Sequence, residues 1–261
     1  MKKSSPIITL LTDFGLEDGY SAAMKGVIYS ISPETKIVDI SHQIEPQNVA
    51  AAAFLLSAHF PFFPEKTVHV AVVDPGVGSQ RKIILARAEN QFFLAPDNGL
   101  LTPLTEFEDA EFFEVSEKAF WTPNVSHTFH GRDIFAPVAA HLATGTPAQE
   151  LGRPVGTIVR LEKTKAERAG NVITGEIAYV DRFGNLVSSI LATDCDFQIT
   201  EVWFGESCLG SPVQAYAEKK YGEPLAIWGS FQRLEIAVNQ GSAKAFFPDY
   251  KQRKVRLIIQ N

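Results

Sequence analysis

Asp74 and Arg81 lie seven residues apart in the run Val-Val-Asp-Pro-Gly-Val-Gly-Ser-Gln-Arg that ends at Arg81. Only a tight Pro75-Gly76 turn and a few small residues separate them, so the carboxylate and guanidinium can pair across one loop. Such a pair can handle a proton or hold a charged ligand, or it can be a structural ion pair that pins the loop. A second dense stretch is His127-Thr128-Phe129-His130-Gly131-Arg132-Asp133. It supports acid/base chemistry through a histidine that titrates near neutrality, or a metal site if its histidines share a face with a carboxylate. Its structural reading is a helix start capped by Asp133 beside solvated histidines. Asp13, in Thr12-Asp13-Phe14-Gly15 with Asp18 close behind, can accept hydrogen bonds from a ribose, hold a metal, or simply cap a turn. No Gly-x-Gly-x-x-Gly follows it, which argues against a dinucleotide fingerprint.

The second half carries quieter candidates. Asp181-Arg182-Phe183-Gly184-Asn185 sets an acid and an amide across a turn, and Gly229-Ser230-Phe231-Gln232 opens a strand that runs to Asn239. Each alone reads as a hairpin. Together, Asp181, Asn185, Ser230 and Phe231 make a polar and aromatic set suited to a zwitterion and a flat base. Pro96-Asp97-Asn98-Gly99 reads as a tight turn.

Alternating elements must position these groups. Ile7–Leu11, Lys36–Ile40 and Val68–Val73 read as strands; Tyr20–Ser30, Asn48–His59 and Ile134–Thr144 have helical spacing. Ile83–Ala88 and Gln91–Leu94 read as a hairpin around Glu89-Asn90. This alternation predicts an α/β N-terminal domain over residues 1–155 with a largely parallel sheet. Asp74 then leaves the C-terminal end of a strand, where the clefts of such sheets form. Residues 156–167 read as a linker. From residue 168 to 261 the signals become short strands: Val172–Val180, Leu186–Leu191, Val202–Phe204, Leu225–Trp228, Leu234–Val238 and Val255–Ile259. They predict a smaller all-β domain.

Composition excludes several partner classes. The 261-residue chain is 45% hydrophobic and 21% charged, with a net charge of −6 and no basic cluster. Nucleic acid is therefore not expected as a partner. No apolar stretch is long enough for a signal peptide or a membrane span, so a cytoplasmic location is expected. The two cysteines, Cys195 and Cys208, form no metal-binding or disulfide pattern. The 19 phenylalanines could supply walls for stacking a flat ligand.

Thr12-Asp13-Phe14-Gly15, Val73-Asp74-Pro75-Gly76-Val77-Gly78, Pro96-Asp97-Asn98-Gly99, Phe129-His130-Gly131-Arg132-Asp133, Asp181-Arg182-Phe183-Gly184-Asn185 and Ser230-Phe231 occur in this order across nearly the whole chain. The set resembles the S-adenosylmethionine hydroxide adenosyltransferase family, relatives of the fluorinase and chlorinase. The resemblance implies an α/β domain followed by a β-barrel-like one, in a homotrimer whose active sites lie between subunits. It implies attack of water or hydroxide on C5′ of S-adenosylmethionine, giving adenosine and methionine, with no cofactor and no metal. The catalytic set then falls on Asp74, Arg81 and His130. Asp13 would hold the ribose, Asp181 and Ser230 the methionine end, and Asn185 and Phe231 the adenine. In the fluorinase branch a tyrosine replaces Asp74, the histidine of the Phe-His-Gly loop is not kept, and a tryptophan stands at Val187. Three other readings remain open: a halogenase of the same fold, a nucleoside or S-adenosylmethionine binding protein without turnover, and a metal-dependent hydrolase using Asp13, Asp18, His127 and His130. Within the adenosyltransferase reading, Asp74 could take the water's proton, or Arg81 could stabilise hydroxide while His130 orients it.

Overall fold

The computed structural model describes residues 5–162, 166–195 and 198–260. Residues 163–165 of the expected linker lie outside the described residues. The chain forms two compact units, Met1–Leu161 and Glu162–Asn261. Residues 156–161 are fastened to the first unit: the Val159 amide donates to Asp97 Oδ1 and the Leu161 amide to Thr102 Oγ1, each at 2.8 Å. Among the described residues, no helix is long and apolar enough to cross a membrane.

In the first unit one sheet carries β1 (Ile7–Thr12), β2 (Lys36–Ser41), β3 (Val68–Val72), β4 (Ile83–Ala88), β5 (Gln91–Pro96), β6 (Glu111–Val115) and β7 (Gly152–Pro154), in the order β2-β1-β3-β5-β4-β6-β7. Its helices are α1 (Tyr20–Ile31), α2 (Val49–His59), α3 (Ala136–Thr144) and α4 (Ala148–Leu151). β1 and β3 sit centrally and are almost wholly buried, as their continuous apolar runs require. α1 turns Met24 and Ile28 into the same core, where they join Leu10, Val70 and Phe135. Asn48 caps α2 by accepting the Ala51 amide at 3.0 Å.

The sheet is mixed, which corrects the expectation of a largely parallel one. β1 pairs in parallel with β2 and β3, and β3 with β5, but β4, β6 and β7 join by antiparallel pairings. The cause is local. Glu89 and Asn90 both adopt positive φ, at 50° and 57°, the two-residue turn whose twist matches a hairpin. Between β4 and β5 the chain therefore folds back on itself instead of crossing over through a helix.

The second unit is antiparallel throughout its named strands. β8 (Glu167–Ala169), β9 (Val172–Gly175), β12 (Ile199–Phe204), β13 (Ser207–Gly210) and β16 (Val255–Ile259) form one sheet in the order β13-β12-β16-β9-β8. β10 (Ile177–Val180), β11 (Leu186–Leu191), β14 (Pro224–Trp228) and β15 (Arg233–Val238) form the other, in the order β10-β11-β15-β14. The short α5 (Ala243–Phe246) packs on β15. Ile173, Phe204 and Leu257 share one core with Leu186, Leu234 and Ile236 of the other sheet. The single strand expected over Val172–Val180 is broken between Gly175 and Ile177, where the chain changes sheets. Gly175 makes the corner possible, because a β-carbon there would lie 2.5 Å from Ile190 Cγ1.

One polar group is locked inside the first unit. His69 on β3 is fully buried, its Nδ1 2.8 Å from Thr9 Oγ1 and its Nε2 2.5 Å from Gln91 Oε1. The Gln91 oxygen only accepts, so Nε2 carries the proton and Thr9 donates to Nδ1. Burial pushes His69 down to about 4, against the favourable Gln91 bond. The unfolded chain takes up this proton first as pH falls, so stability drops from pH 6.5 toward 4, by about 3 kcal/mol in full. Chemical denaturation at pH 7 and pH 5 is expected to show about 2 kcal/mol of this loss, and His69→Gln to show correspondingly less. An equal pH response in both proteins would refute the assignment.

Candidate active site

Asp13 and Asp74 leave neighbouring parallel strands on the same edge of the sheet, because Thr12 of β1 registers with Val72 of β3. The exit of β3 is held from the side. Asn98, at the end of β5, donates its Nδ2 to the Val73 carbonyl at 2.8 Å and accepts the Leu100 amide. The loop then closes through Val77 N to Asp74 O and Ser79 N to Gly76 O. Gly78 sits at φ 78°, and a β-carbon there would lie 2.5 Å from the His127 carbonyl oxygen. A side chain at that position would hold the Asp74 loop away from the histidine loop.

The structure brings Asp74, Arg81 and His130 together. Arg81 Nε donates to both Asp74 oxygens at 2.9 Å, and its Nη2 bonds Asp74 Oδ2. The same Nη2 lies 2.9 Å from His130 Nδ1. The Arg81 and Asp74 side chains keep only 10% and 4% of their surface exposed. Phe135 lies under the guanidinium, 5.9 Å from ring centre to Cζ. His130 precedes a π-helical turn, Gly131–Phe135, that runs into α3; the helix expected from Ile134 thus begins in a widened turn at the site, a known habit of functional segments.

An arginine can only donate, so His130 Nδ1 must accept, and the neutral ring carries its proton on Nε2. Burial pushes His130 below its ordinary 6.5, and the Arg81 guanidinium adds to this; Asp74 and Asp133 oppose it. The ring is therefore a neutral N–H donor at pH 7. Asp133 itself is structural. Its Oδ2 accepts the Ser126 amide at 2.8 Å, and Arg132 pairs with it. Burial works to raise its carboxyl, but the bonds from Arg132 and Ser126 hold it below the usual range.

Asp13 stands beside this group on a tied loop. Thr12 Oγ1 accepts the Phe14 amide and bonds His42 Nδ1 at 2.8 Å, and the Gly15 amide donates to the His42 carbonyl. Asp13 Oδ2 accepts the Gln47 amide at 2.9 Å. Phe14, Tyr20 and Phe129 pack edge to face, with ring centres 5.0–5.9 Å apart, and link the Asp13 turn to the His130 loop. Asp18 and His127 are exposed. Among the described residues, no three His, Cys, Asp or Glu side chains cluster as a metal site. The roles of Asn98 and His42 escape a reading of the sequence; only the polar residues after apolar runs hint at them.

In the second unit Asp181 and Asn185 are joined. Asp181 Oδ1 accepts the amides of Phe183 and Asn185, and Oδ2 accepts Asn185 Nδ2 at 2.8 Å. Ser230 and Phe231 lie on a different turn, between β14 and β15, closed by Gly229 N to Arg233 O at 2.9 Å. Val187 is fully buried in β11 and presents no face for stacking.

Two family models cover most of the chain. One, described as the SAM hydroxide adenosyltransferase N-terminal domain, matches residues 8–152; the corresponding C-terminal domain model matches residues 175–255. The (R)-S-adenosyl-L-methionine hydrolase of Thermus thermophilus is 38% identical over 255 residues, 91% of this chain and 93% of its own. A fluorinase of Actinoplanes sp. is 33% identical over 220 residues, 74% of each chain. The crystal structure of an uncharacterized conserved protein from Thermotoga maritima has a TM-score of 0.89 at 37% identity, covering 96% of this chain and 99% of that one.

Nitrogen-15 NMR of histidine-labelled protein is expected to find His130 neutral at pH 7, protonated on Nε2, with a midpoint below 6.5. A proton on Nδ1, or a midpoint above that value, would contradict the Arg81 bond as the tautomer's cause.

Proposed function

Because the chain belongs to the SAM hydroxide adenosyltransferase family, we propose that it hydrolyses S-adenosyl-L-methionine to adenosine and L-methionine by attack at C5′. The observation that carries this reading is the single chain of hydrogen bonds from Asp74 through Arg81 to His130. The sulfonium leaves as a neutral thioether, taking the electron pair of the C5′–S bond, and needs no acid. The demand falls on the oxygen nucleophile. It must lie in line with the breaking bond, and such positioning can supply on the order of 7 kcal/mol or more.

Both Asp74 oxygens already accept from Arg81, and His130 offers a donor. Donors from both groups to one oxygen favour hydroxide over water, whose proton is released to solvent. The catalytic set is therefore read as a hydroxide site: His130 Nε2–H orients the ion, Arg81 neutralises it, and Asp74 fixes the guanidinium. Asp13 is assigned to the ribose, Asp181 and Ser230 to the methionine end, and Asn185 and Phe231 to the adenine. The barrel-like closure of the second unit, a homotrimer with sites shared between subunits, the absence of any cofactor, and a cytoplasmic location belong to the same reading. Asp74 and the buried Val187 favour hydrolysis over halide transfer, since the fluorinase branch carries tyrosine and tryptophan there.

Incubation with S-adenosylmethionine in oxygen-18 water is expected to place the label in the 5′-hydroxyl of adenosine. No adenosine, or 5′-chloro-5′-deoxyadenosine as the main product in excess chloride, would overturn the reading. Asp74→Ala and Arg81→Ala should each lower kcat by about 10²-fold or more while KM moves only a few-fold. Near-normal kcat in both would remove the catalytic assignment.

A further inference from the structure

Glu235 is a carboxylic acid in the middle of β15, in a stretch that is otherwise apolar from Leu234 to Val238 and buried along its length. It is 5% exposed, and its carboxyl makes no hydrogen bond among the described residues. A carboxylate set in so buried a stretch without a hydrogen-bond partner, yet still open at its oxygens, calls for an explanation. The surrounding chain makes room for it. A β-carbon on Gly229 would overlap Glu235 Oε1 and Cδ, so the turn that leads into Ser230 is shaped around this carboxyl.

What faces Glu235 is negative. Burial, and then the charge of Asp181, push Glu235 up to about 7. The Tyr216 phenol faces both acids and is itself pushed up, first by burial and then by Glu235 and Asp181. The neighbouring strands β11 and β14 carry no titratable side chain, and α5 carries only the exposed Lys244. Arg233, on the same strand, donates to the carbonyls of Ser188 and Ser189. Among the described residues, neither Asp181 nor Glu235 pairs with a lysine or arginine. The charge of Asp181 thus acts on Glu235 with no protein cation paired to either among the described residues.

We infer that Glu235 is a substrate-binding residue: its carboxylate, seated over Gly229 and facing Asp181, receives the α-ammonium group at the amino-acid end of the substrate. The inference rests on the proposed reaction and adds to it a residue that the motifs do not name. It also gives the binding step a proton. In the empty site the two acids share their charge unwillingly, so one proton is retained near neutrality. The arriving ammonium replaces it, and the proton leaves to solvent. The nucleoside end of the substrate, which lacks a cation, has no part in this exchange.

Steady-state kinetics of adenosine release test it, with Glu235→Gln beside the wild type from pH 6 to 8. The variant is expected to raise KM for S-adenosylmethionine about tenfold or more at pH 8, with kcat within about threefold. Wild-type KM should rise as pH falls through 7, and the variant's KM should stay flat. Inhibition by added adenosine should be the same in both. Gly229→Ala, which displaces the carboxyl without removing it, should raise KM in the same way; a thermal melt shows that each variant is folded. Folded Glu235→Gln with wild-type KM and wild-type pH dependence would overturn the inference and leave the reaction standing. A wild-type protein that releases no adenosine would remove the reaction and the inference with it.

Discussion

The guanidinium of Arg81 is the group on which the arrangement depends. It is planar, always charged and able only to donate, and it is almost wholly withdrawn from solvent between a carboxylate and an imidazole. Such a pair adds little to stability relative to an apolar replacement, but losing one partner strands a buried charge. Its value lies in what it dictates. It engages both oxygens of Asp74, and it forces the acceptor nitrogen of His130 to face it, so that the opposite nitrogen must present a proton. Lysine could supply the charge but not the fork. Much of the first unit serves to deliver this one side chain. β3 and β4 hold the two ends of its loop, Asn98 clamps the strand exit, and Gly78 lets the histidine loop close over the top.

The two units carry polar groups of different character. The first gathers a donor-rich group at the edge of a buried sheet. The second carries acceptors: Asp181 with its three local hydrogen bonds, and Glu235 with none among the described residues.

Much of this was legible in the sequence, and for identifiable reasons. Val255–Ile259 is a strand over those same residues, and Tyr20–Ile31 extends the expected helix by one residue, since each has an apolar period long enough to read. The pairing of Asp74 with Arg81 followed from closeness in the chain. β7, β8 and β13, each three or four residues long, are too short to show a period. The break at Glu176 depends on Gly175 packing against Ile190, a contact fourteen or more residues away that no local pattern encodes. The hairpin at Glu89-Asn90 was legible, but the sheet is less parallel than expected because the short β6 and β7 add further antiparallel pairings. Glu235 lies on the strand that Gly229–Gln232 opens, and only its burial sets it apart from the polar side of a hairpin.

The two outer strands of the large sheet carry a further meaning. β7 consists of three residues and ends in Pro154, which has no amide to offer a neighbour. At the opposite edge β2 carries Lys36 and Asp39, the latter tied to Lys25 at 2.6 Å. Truncation, proline and charge are the devices by which β-proteins refuse edge-to-edge pairing. Copies of this chain are thereby discouraged from lengthening this sheet strand by strand, the route that leads to filaments without a natural end. Assembly through this sheet is left to its faces and loops, where rotational symmetry can close it at a fixed number of subunits.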